Sequence, residues 1–201
     1  MLKNRDYTLM IDQSASMAIA DQPGGKTRWE AMQESTLALV NKCQAFDPDG
    51  ITVYVFSNRF KRYENVTSSQ VKQIFQENQP QGGTNLTGVL QDATNNYFKR
   101  KGASQTKPEG ETIVVVTDGE PDDRIGVAEA IVNASHRMKR DEELAILFVQ
   151  VGFDPKVTRS LKAFDDQLRG IGAKFDIVDT ISLDDMETMT LTDVLLNAIA
   201  D

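Results

Sequence analysis

The sequence has 201 residues, of which 40% are hydrophobic and 26% charged, a composition typical of a soluble globular protein with one well-buried core. Its net charge of −8 argues against nucleic acid or an anionic membrane as a partner. The single cysteine, Cys43, excludes an internal disulfide. No secretion signal or long apolar run is recognisable, so we expect one cytoplasmic domain over residues 1–201.

Buried strands are predicted where apolar and β-branched residues follow one another without alternation, as in parallel sheets covered on both faces. In chain order these runs are Tyr7–Ile11, Ile51–Phe56, Thr112–Thr117, Leu144–Gly152 and the weaker Lys174–Asp179. The segment Arg59–Val66 alternates and is charged, so we expect it to be an edge strand paired with the strand before it.

Apolar residues at helical spacing predict helices between these strands. The stripes run over Trp29–Phe46, Leu86–Tyr97, Val127–Met138, Val157–Ile171 and Leu191–Ile199. A short helix is predicted at Ser68–Glu77, and Lys99–Glu111 is expected to be a polar surface loop. The alternation of strands and helices predicts an α/β fold, a three-layer αβα sandwich whose mainly parallel sheet has one antiparallel edge strand.

Oxygen-bearing side chains follow the first strand at every second position in "LMIDQSASM". Because residues two apart in an extended segment point the same way, Asp12, Ser14 and Ser16 are predicted to present their oxygens together. Taken alone, either serine could equally cap a turn.

Two more polar segments, "GGTNLT" and "TDGEPDD", also lie beside predicted elements. Thr84 or Asn85 can cap the helix that follows, and Asp118 lies at the carboxyl end of the strongest strand. Open α/β sheets bind ligands beyond the carboxyl ends of their strands, where the strand order reverses. If the first strand and the strand Thr112–Thr117 flank that reversal, Asp12 and Asp118 face each other and Thr84 joins them. Such hard oxygens suit Mg²⁺, Mn²⁺ or Ca²⁺.

Together, "DQSAS", "GGTN" and "TDG" resemble the metal-ion-dependent adhesion site (MIDAS) of von Willebrand factor A domains, and the resemblance covers essentially the whole chain. It implies a Rossmann-like fold and a cation held directly by Ser14, Ser16 and Thr84. Asp12 and Asp118 are then expected to bind the cation through water or to act as switching ligands. It further implies a protein-interaction module without catalytic activity, whose incompletely coordinated Mg²⁺ binds an Asp or Glu of a partner protein. "TDGEPDD" is also similar to stand-alone bacterial members, including those of tellurite-resistance-type operons.

Two questions remain open from the sequence. The acidic residues Glu120, Asp122 and Asp123 form either a solvated loop with a helix cap or a rim that selects a partner with basic residues around its acidic anchor. The alternative function is a metal-dependent phosphoryl-transfer enzyme of phosphatase type. Phosphatases of the haloacid-dehalogenase type require a second acid where Ser14 stands, and the single histidine, His136, is predicted to be solvated on a helix.

Overall fold

The computed structural model describes residues 2–200, apart from the side chains of Glu187, Leu191 and Ala200. Two ends of the predicted domain, Met1 and Asp201, therefore lie outside the described residues. So does the side chain of Leu191, the first residue of the last predicted helical stripe. The strands are β1 (Asp6–Asp12), β2 (Ile51–Phe56), β3 (Phe60–Val66), β4 (Glu111–Thr117), β5 (Leu144–Gln150) and β6 (Val178–Ser182). The helices are α1 (Arg28–Phe46), α2 (Ser68–Glu77), α3 (Leu86–Gly102), α4 (Arg124–Arg137), α5 (Pro155–Gln167), α6 (Leu183–Thr188) and α7 (Leu191–Ala200).

The six strands form one sheet in the order β3-β2-β1-β4-β5-β6. All neighbouring strands are parallel except β2 and β3, which confirms the predicted antiparallel edge strand. The strand order reverses between β1 and β4, where Ile11 lies opposite Val116. The carboxyl ends of these two strands therefore lie side by side, as the sequence predicted.

Helices cover both faces of the sheet, which confirms the three-layer sandwich. On one face, α1, α2 and α7 contribute buried apolar residues such as Met32, Phe75 and Leu195. On the other face, α3, α4 and α5 contribute residues such as Leu90 and Leu161. Burying one such side chain is worth about 1.5–3 kcal/mol, so the two cores hold the strand ends in a rigid frame. Within residues 2–200, no helix combines the length and apolar character needed to cross a membrane.

Two predictions near the carboxyl terminus were wrong in position. The last strand begins at Val178, four residues later than expected, because Lys174 is tied to the end of α4. The Lys174 N–H donates to Ser135 Oγ (3.0 Å) and its Nζ donates to the Met138 carbonyl (2.8 Å). Ile171 does not extend the apolar stripe of α5: it lies in a turn beyond the helix and is 62% exposed.

The predicted surface loop Lys99–Glu111 was too long at both ends. Helix α3 continues to Gly102, because Arg100 on its last turn pairs with Asp6 and Glu111. Glu111 itself is a buried residue of β4. Helix α6 was not predicted at all.

Candidate metal site

Asp12 ends β1 and is completely buried. Its Oδ1 accepts a hydrogen bond from the Ser14 N–H (2.7 Å), and its Oδ2 accepts one from Thr117 Oγ1 (2.6 Å). Burial raises the pKa of Asp12 to about 7, although the bonds from Thr117 and Ser14 act in the opposite direction. The carboxylate thus joins the end of β4 to the loop that leaves β1.

Ser14 and Ser16 flank the start of a short 3₁₀ turn over Ala15–Ala18 and point to the same place. Their hydroxyl oxygens lie 3.0 Å apart. Ser16 Oγ donates to Asp118 Oδ1 at 2.8 Å, and Ser14 Oγ lies 3.4 Å from the same oxygen. The sequence-predicted serines and Asp118 therefore converge at the reversal of the strand order.

Thr84 lies near the backbone that follows Asp118, in the loop before α3. Asn85, and not Thr84, caps the helix: the Gly88 N–H donates to Asn85 Oδ1 at 3.1 Å. A β-carbon placed on Gly119 would lie 3.7 Å from Thr84 Oγ1, so this hydroxyl faces the backbone next to Asp118. Because Asn85 is the helix cap, the Thr84 hydroxyl is not needed at the start of the helix.

The Thr84 loop is braced by its backbone. The Thr84 N–H donates to Asp122 Oδ2 (2.9 Å), and the Thr84 carbonyl accepts from the Asp122 N–H (3.0 Å). The Gly83 N–H donates to Asn58 Oδ1 (2.7 Å). A β-carbon on Gly83 would lie only 2.8 Å from Asp122 Oδ2, so the loop needs glycine there to approach both partners.

Arg28 completes the site, and the sequence analysis missed it. Its Nη1 donates to Asp118 Oδ2 at 2.8 Å, while Nη2 and Nε bind the carboxylate of Asp21 at 2.5 and 3.1 Å. The Arg28 side chain is only 13% exposed, and that of Asp118 is fully buried. The hydrogen bonds from Arg28 lower the pKa of Asp21 to about 2. A signal did exist: a cation in the first turn of a helix opposes the helix dipole, so it indicates a partner elsewhere.

The oxygens of this cluster fit a hard divalent cation. Mg²⁺ binds oxygens at about 2.1 Å in an octahedron, so neighbouring ligand oxygens lie about 3.0 Å apart. The separation between Ser14 Oγ and Ser16 Oγ, 3.0 Å, matches this edge. Asp118 Oδ1, which accepts a hydrogen bond from Ser16 Oγ at 2.8 Å, lies next to these two hydroxyls. A set of two carboxylates and several hydroxyl oxygens suits Mg²⁺, Mn²⁺ or Ca²⁺ better than zinc or copper.

Ligands typical of zinc lie elsewhere. Burial raises the pKa of the Cys43 thiol to about 12, and His136 Nε2 lies 2.8 Å from the Gly172 carbonyl at the far end of α4. In the part of the chain that the structure describes, no three His, Cys, Asp or Glu side chains form a metal-binding group. Any cation bound at this edge of the sheet therefore depends on hydroxyl oxygens.

The acidic segment after Asp118 has separate roles. Asp123 caps α4 by accepting from the Gly126 N–H at 2.9 Å, whereas Asp122 braces the Thr84 loop. Glu120 is exposed and lies 4.0 Å from Arg124 Nη1. Only Glu120 thus has a carboxylate that is not used to hold the local backbone.

These roles predict different effects for two neighbouring substitutions. Asp123→Ala removes a helix cap and should lower the free energy of unfolding by about 1 kcal/mol without changing the affinity for Mg²⁺. Asp122→Ala should weaken Mg²⁺ binding about tenfold, because it releases the loop that positions Thr84. Titration calorimetry with Mg²⁺, combined with urea unfolding, distinguishes the two. Equal Mg²⁺ affinities of both variants would show that Asp122 does not position a ligand.

Comparisons with known proteins identify the family and the fold of the chain. The sequence model of the von Willebrand factor type A domain matches residues 7–120, more than half of the chain. The comparison with curated proteins gave no significant match. Among solved structures, the chain is similar to a D319A mutant of the PilB minor pilin from Streptococcus sanguinis, with a TM-score of 0.60 and 14% identity over 99% of this chain and 60% of the pilin.

Two other structures share the fold. Manganese-loaded TRAP protein from Plasmodium vivax has a TM-score of 0.58 and 12% identity over 92% of this chain and 70% of TRAP. The pilus adhesin SpaC from Lactobacillus rhamnosus GG has a TM-score of 0.61 and 15% identity over 98% of this chain and 31% of the adhesin. The chain thus spans less than two thirds of each of these pilus proteins. With its family match, its strand order and its TRAP-like fold, the chain belongs to the von Willebrand factor type A domain family.

Proposed function

We propose that the chain is a metal-dependent protein-interaction module that binds a partner carboxylate through one divalent cation. Von Willebrand factor type A domains commonly mediate metal-dependent protein interactions, and the similar TRAP structure is manganese-loaded. The observation that carries the proposal is the convergence of Ser14, Ser16 and Asp118 oxygens within 3.4 Å at the strand reversal. In this proposal Ser14, Ser16 and Thr84 hold Mg²⁺ directly, and Asp12 and Asp118 hold it through water.

The charge of this arrangement favours an anionic ligand from outside. Hydroxyl ligands are neutral, and Arg28, whose charge is shared with Asp21, offsets part of the charge of Asp118. The ion therefore keeps much of its positive charge and has at least one octahedral position for another oxygen. An Asp or Glu of a partner protein supplies both the charge and the oxygen. Glu120 disfavours further acidic residues on the α4 side, so the partner is neutral or basic there.

The geometry gives no support to phosphatase chemistry. The Asp12 carboxylate, which would be the nucleophile, is buried and accepts two hydrogen bonds. The carboxylate next to the two serines, that of Asp118, is already held by Arg28. We expect no turnover of p-nitrophenyl phosphate in the presence of Mg²⁺, and turnover that disappears in Asp12→Asn would favour the enzyme instead. The proposal also includes a cytoplasmic location and the stand-alone, tellurite-resistance-type setting that the sequence suggested.

Thr84→Ala should reduce partner binding at least tenfold while the protein stays folded, because Thr84 lies on a loop and its side chain holds no helix end. The partner is captured on immobilised wild-type protein in the presence of Mg²⁺. It should elute when a chelator removes the metal. Substituting each exposed acid of that partner by its amide identifies the anchor, and circular dichroism checks folding.

Thr106→Ala provides a matched control, since Thr106 lies in the loop at the opposite end of the sheet. This variant should bind the partner like the wild type. Recognition would use another surface if the wild type retained the partner in the presence of the chelator and Thr84→Ala retained it equally well.

A further inference from the structure

A cleft of about 440 Å³ lies beside the candidate metal site, on the side of β2 and β3. It is bounded by Gln13, by the turn over residues 57–61 and by residues 81–82 of the loop that carries Thr84. Gln13 stands between Asp12 and Ser14 in the sequence. The cleft therefore shares its wall with the loops that form the metal site.

The carboxamide of Gln13 is an unexplained polar group in this wall. The residue is only 8% exposed, and its Oε1 has no hydrogen-bond partner anywhere in residues 2–200. Its Nε2 makes one long contact, 3.4 Å to Ser57 Oγ. A buried carbonyl oxygen without a donor destabilises the folded protein, so a ligand that supplies a hydrogen-bond donor at this wall would be favoured.

The backbone fixes Gln13 in this position. Its N–H donates to the Phe56 carbonyl (2.8 Å), and its carbonyl accepts from the Gln81 N–H (2.7 Å). These bonds connect Gln13 to β2 on one side and to the Thr84 loop on the other. The backbone of Gln13, and with it the base of the side chain, is thereby fixed beside the cleft.

The rim of the cleft is positively charged, although the whole chain has a net charge of −8. Arg59 and Lys61 are both exposed at this rim. Lys61 donates to the amide oxygen of Asn78 (3.0 Å), and neither cation forms an ion pair with a carboxylate among the residues that the structure describes. An anionic ligand would therefore meet two uncompensated charges.

We propose that this cleft is a second recognition subsite for the same partner and takes a short acidic segment next to the metal-bound carboxylate. A backbone N–H of that segment donates to Gln13 Oε1, and a second carboxylate meets Arg59 and Lys61. The inference rests on the proposed function, because the metal-bound acid brings the segment to the cleft. The partner would then be acidic on the β2–β3 side of its anchor and neutral or basic on the α4 side.

Two synthetic peptides test the subsite on the Mg²⁺-loaded protein. Both are blocked glycine peptides with one aspartate, and one of them has a glutamate two residues after it, which points to the same side of an extended chain. The wild type should bind the two-acid peptide at least fivefold more tightly than the one-acid peptide. The Gln13 side-chain amide signal in ¹⁵N NMR should shift with either peptide.

Arg59→Ala should abolish the preference for the second acid. Arg169→Ala, which replaces an exposed arginine in the turn that follows α5, should keep it. Gln13→Met should weaken the binding of both peptides. It should not lower the melting temperature of the protein or its affinity for Mg²⁺, since it removes an oxygen that has no donor in the free protein.

The outcomes separate the subsite from the metal-dependent function. Equal, Mg²⁺-dependent binding of both peptides, or a preference that survives Arg59→Ala, would overturn the subsite and leave the metal anchor standing. An unmoved Gln13 signal would also overturn it. Binding that a chelator does not affect would overturn both proposals.

Discussion

Replacing Arg28 by alanine is expected to lower the free energy of unfolding by about 3 kcal/mol without divalent cations, because it leaves a buried carboxylate without its partner. Asp118 is fully buried, and Arg28 Nη1 lies 2.8 Å from its Oδ2. The same substitution should have less than half this effect in saturating Mg²⁺. The ion supplies positive charge beside Asp118, and removal of the guanidinium lets the ion bind more tightly.

Urea unfolding of wild type and Arg28→Ala, in chelator and in Mg²⁺, measures this coupling. Arg62→Ala is the matched control, since Arg62 pairs with Glu64 and Asp92 at the surface and should cost about 0.5 kcal/mol or less in either condition. An equal loss for Arg28→Ala with and without Mg²⁺ would show that the ion does not bind beside Asp118.

The affinity for Mg²⁺ should rise about 30-fold between about pH 5.5 and pH 8, because the ion competes with a proton on Asp12. Burial raises the pKa of Asp12 from its ordinary value to about 7 in the folded protein. The folded, metal-free protein therefore holds a proton on Asp12 that the unfolded chain has released, and its stability falls as the pH rises through 7. Mg²⁺ should reverse this loss at high pH.

Asp12→Asn should bind Mg²⁺ more weakly and with little dependence on pH. Glu111→Gln is the control, because burial also raises the pKa of Glu111 to about 7 but this residue lies at the opposite end of the sheet, beside Thr8 and Arg100. It should change the pH dependence of the metal-free protein and leave that of Mg²⁺ binding intact. Calorimetric titrations with Mg²⁺ at several pH values measure the affinity of each variant. A wild-type affinity that does not change with pH would contradict the role of Asp12.

The sheet and the convergence of the polar loops could be predicted because they follow from local patterns. Continuous β-branched runs predict parallel strands, and the carboxyl ends of β1 and β4 must meet if these strands flank the reversal. The position of β6 could not be predicted in this way. Its start depends on hydrogen bonds from Lys174 to Ser135 and Met138, which belong to a distant helix.

The finer structure of the site depends on contacts that no local pattern contains. Thr84 and Asn85 are both good helix caps, and only the bonds of Asp122 to the Thr84 backbone decide between them. Arg28 and Asp118 are separated by 90 residues, so their ion pair exists only once α1 has packed on the sheet. The ligand set itself remains a prediction, which the oxygen separations support.

Binding of Mn²⁺, followed by the loss of the free-ion signal in electron paramagnetic resonance, tests the central claim most directly. The wild type should bind one Mn²⁺ per chain, and excess Mg²⁺ should release it. Ser14→Ala should weaken binding at least tenfold, whereas Ser35→Ala, whose hydroxyl donates only to the Ala31 carbonyl of α1, should bind like the wild type. Equal binding by both variants, or no binding by the wild type, would contradict a cation held at this edge of the sheet.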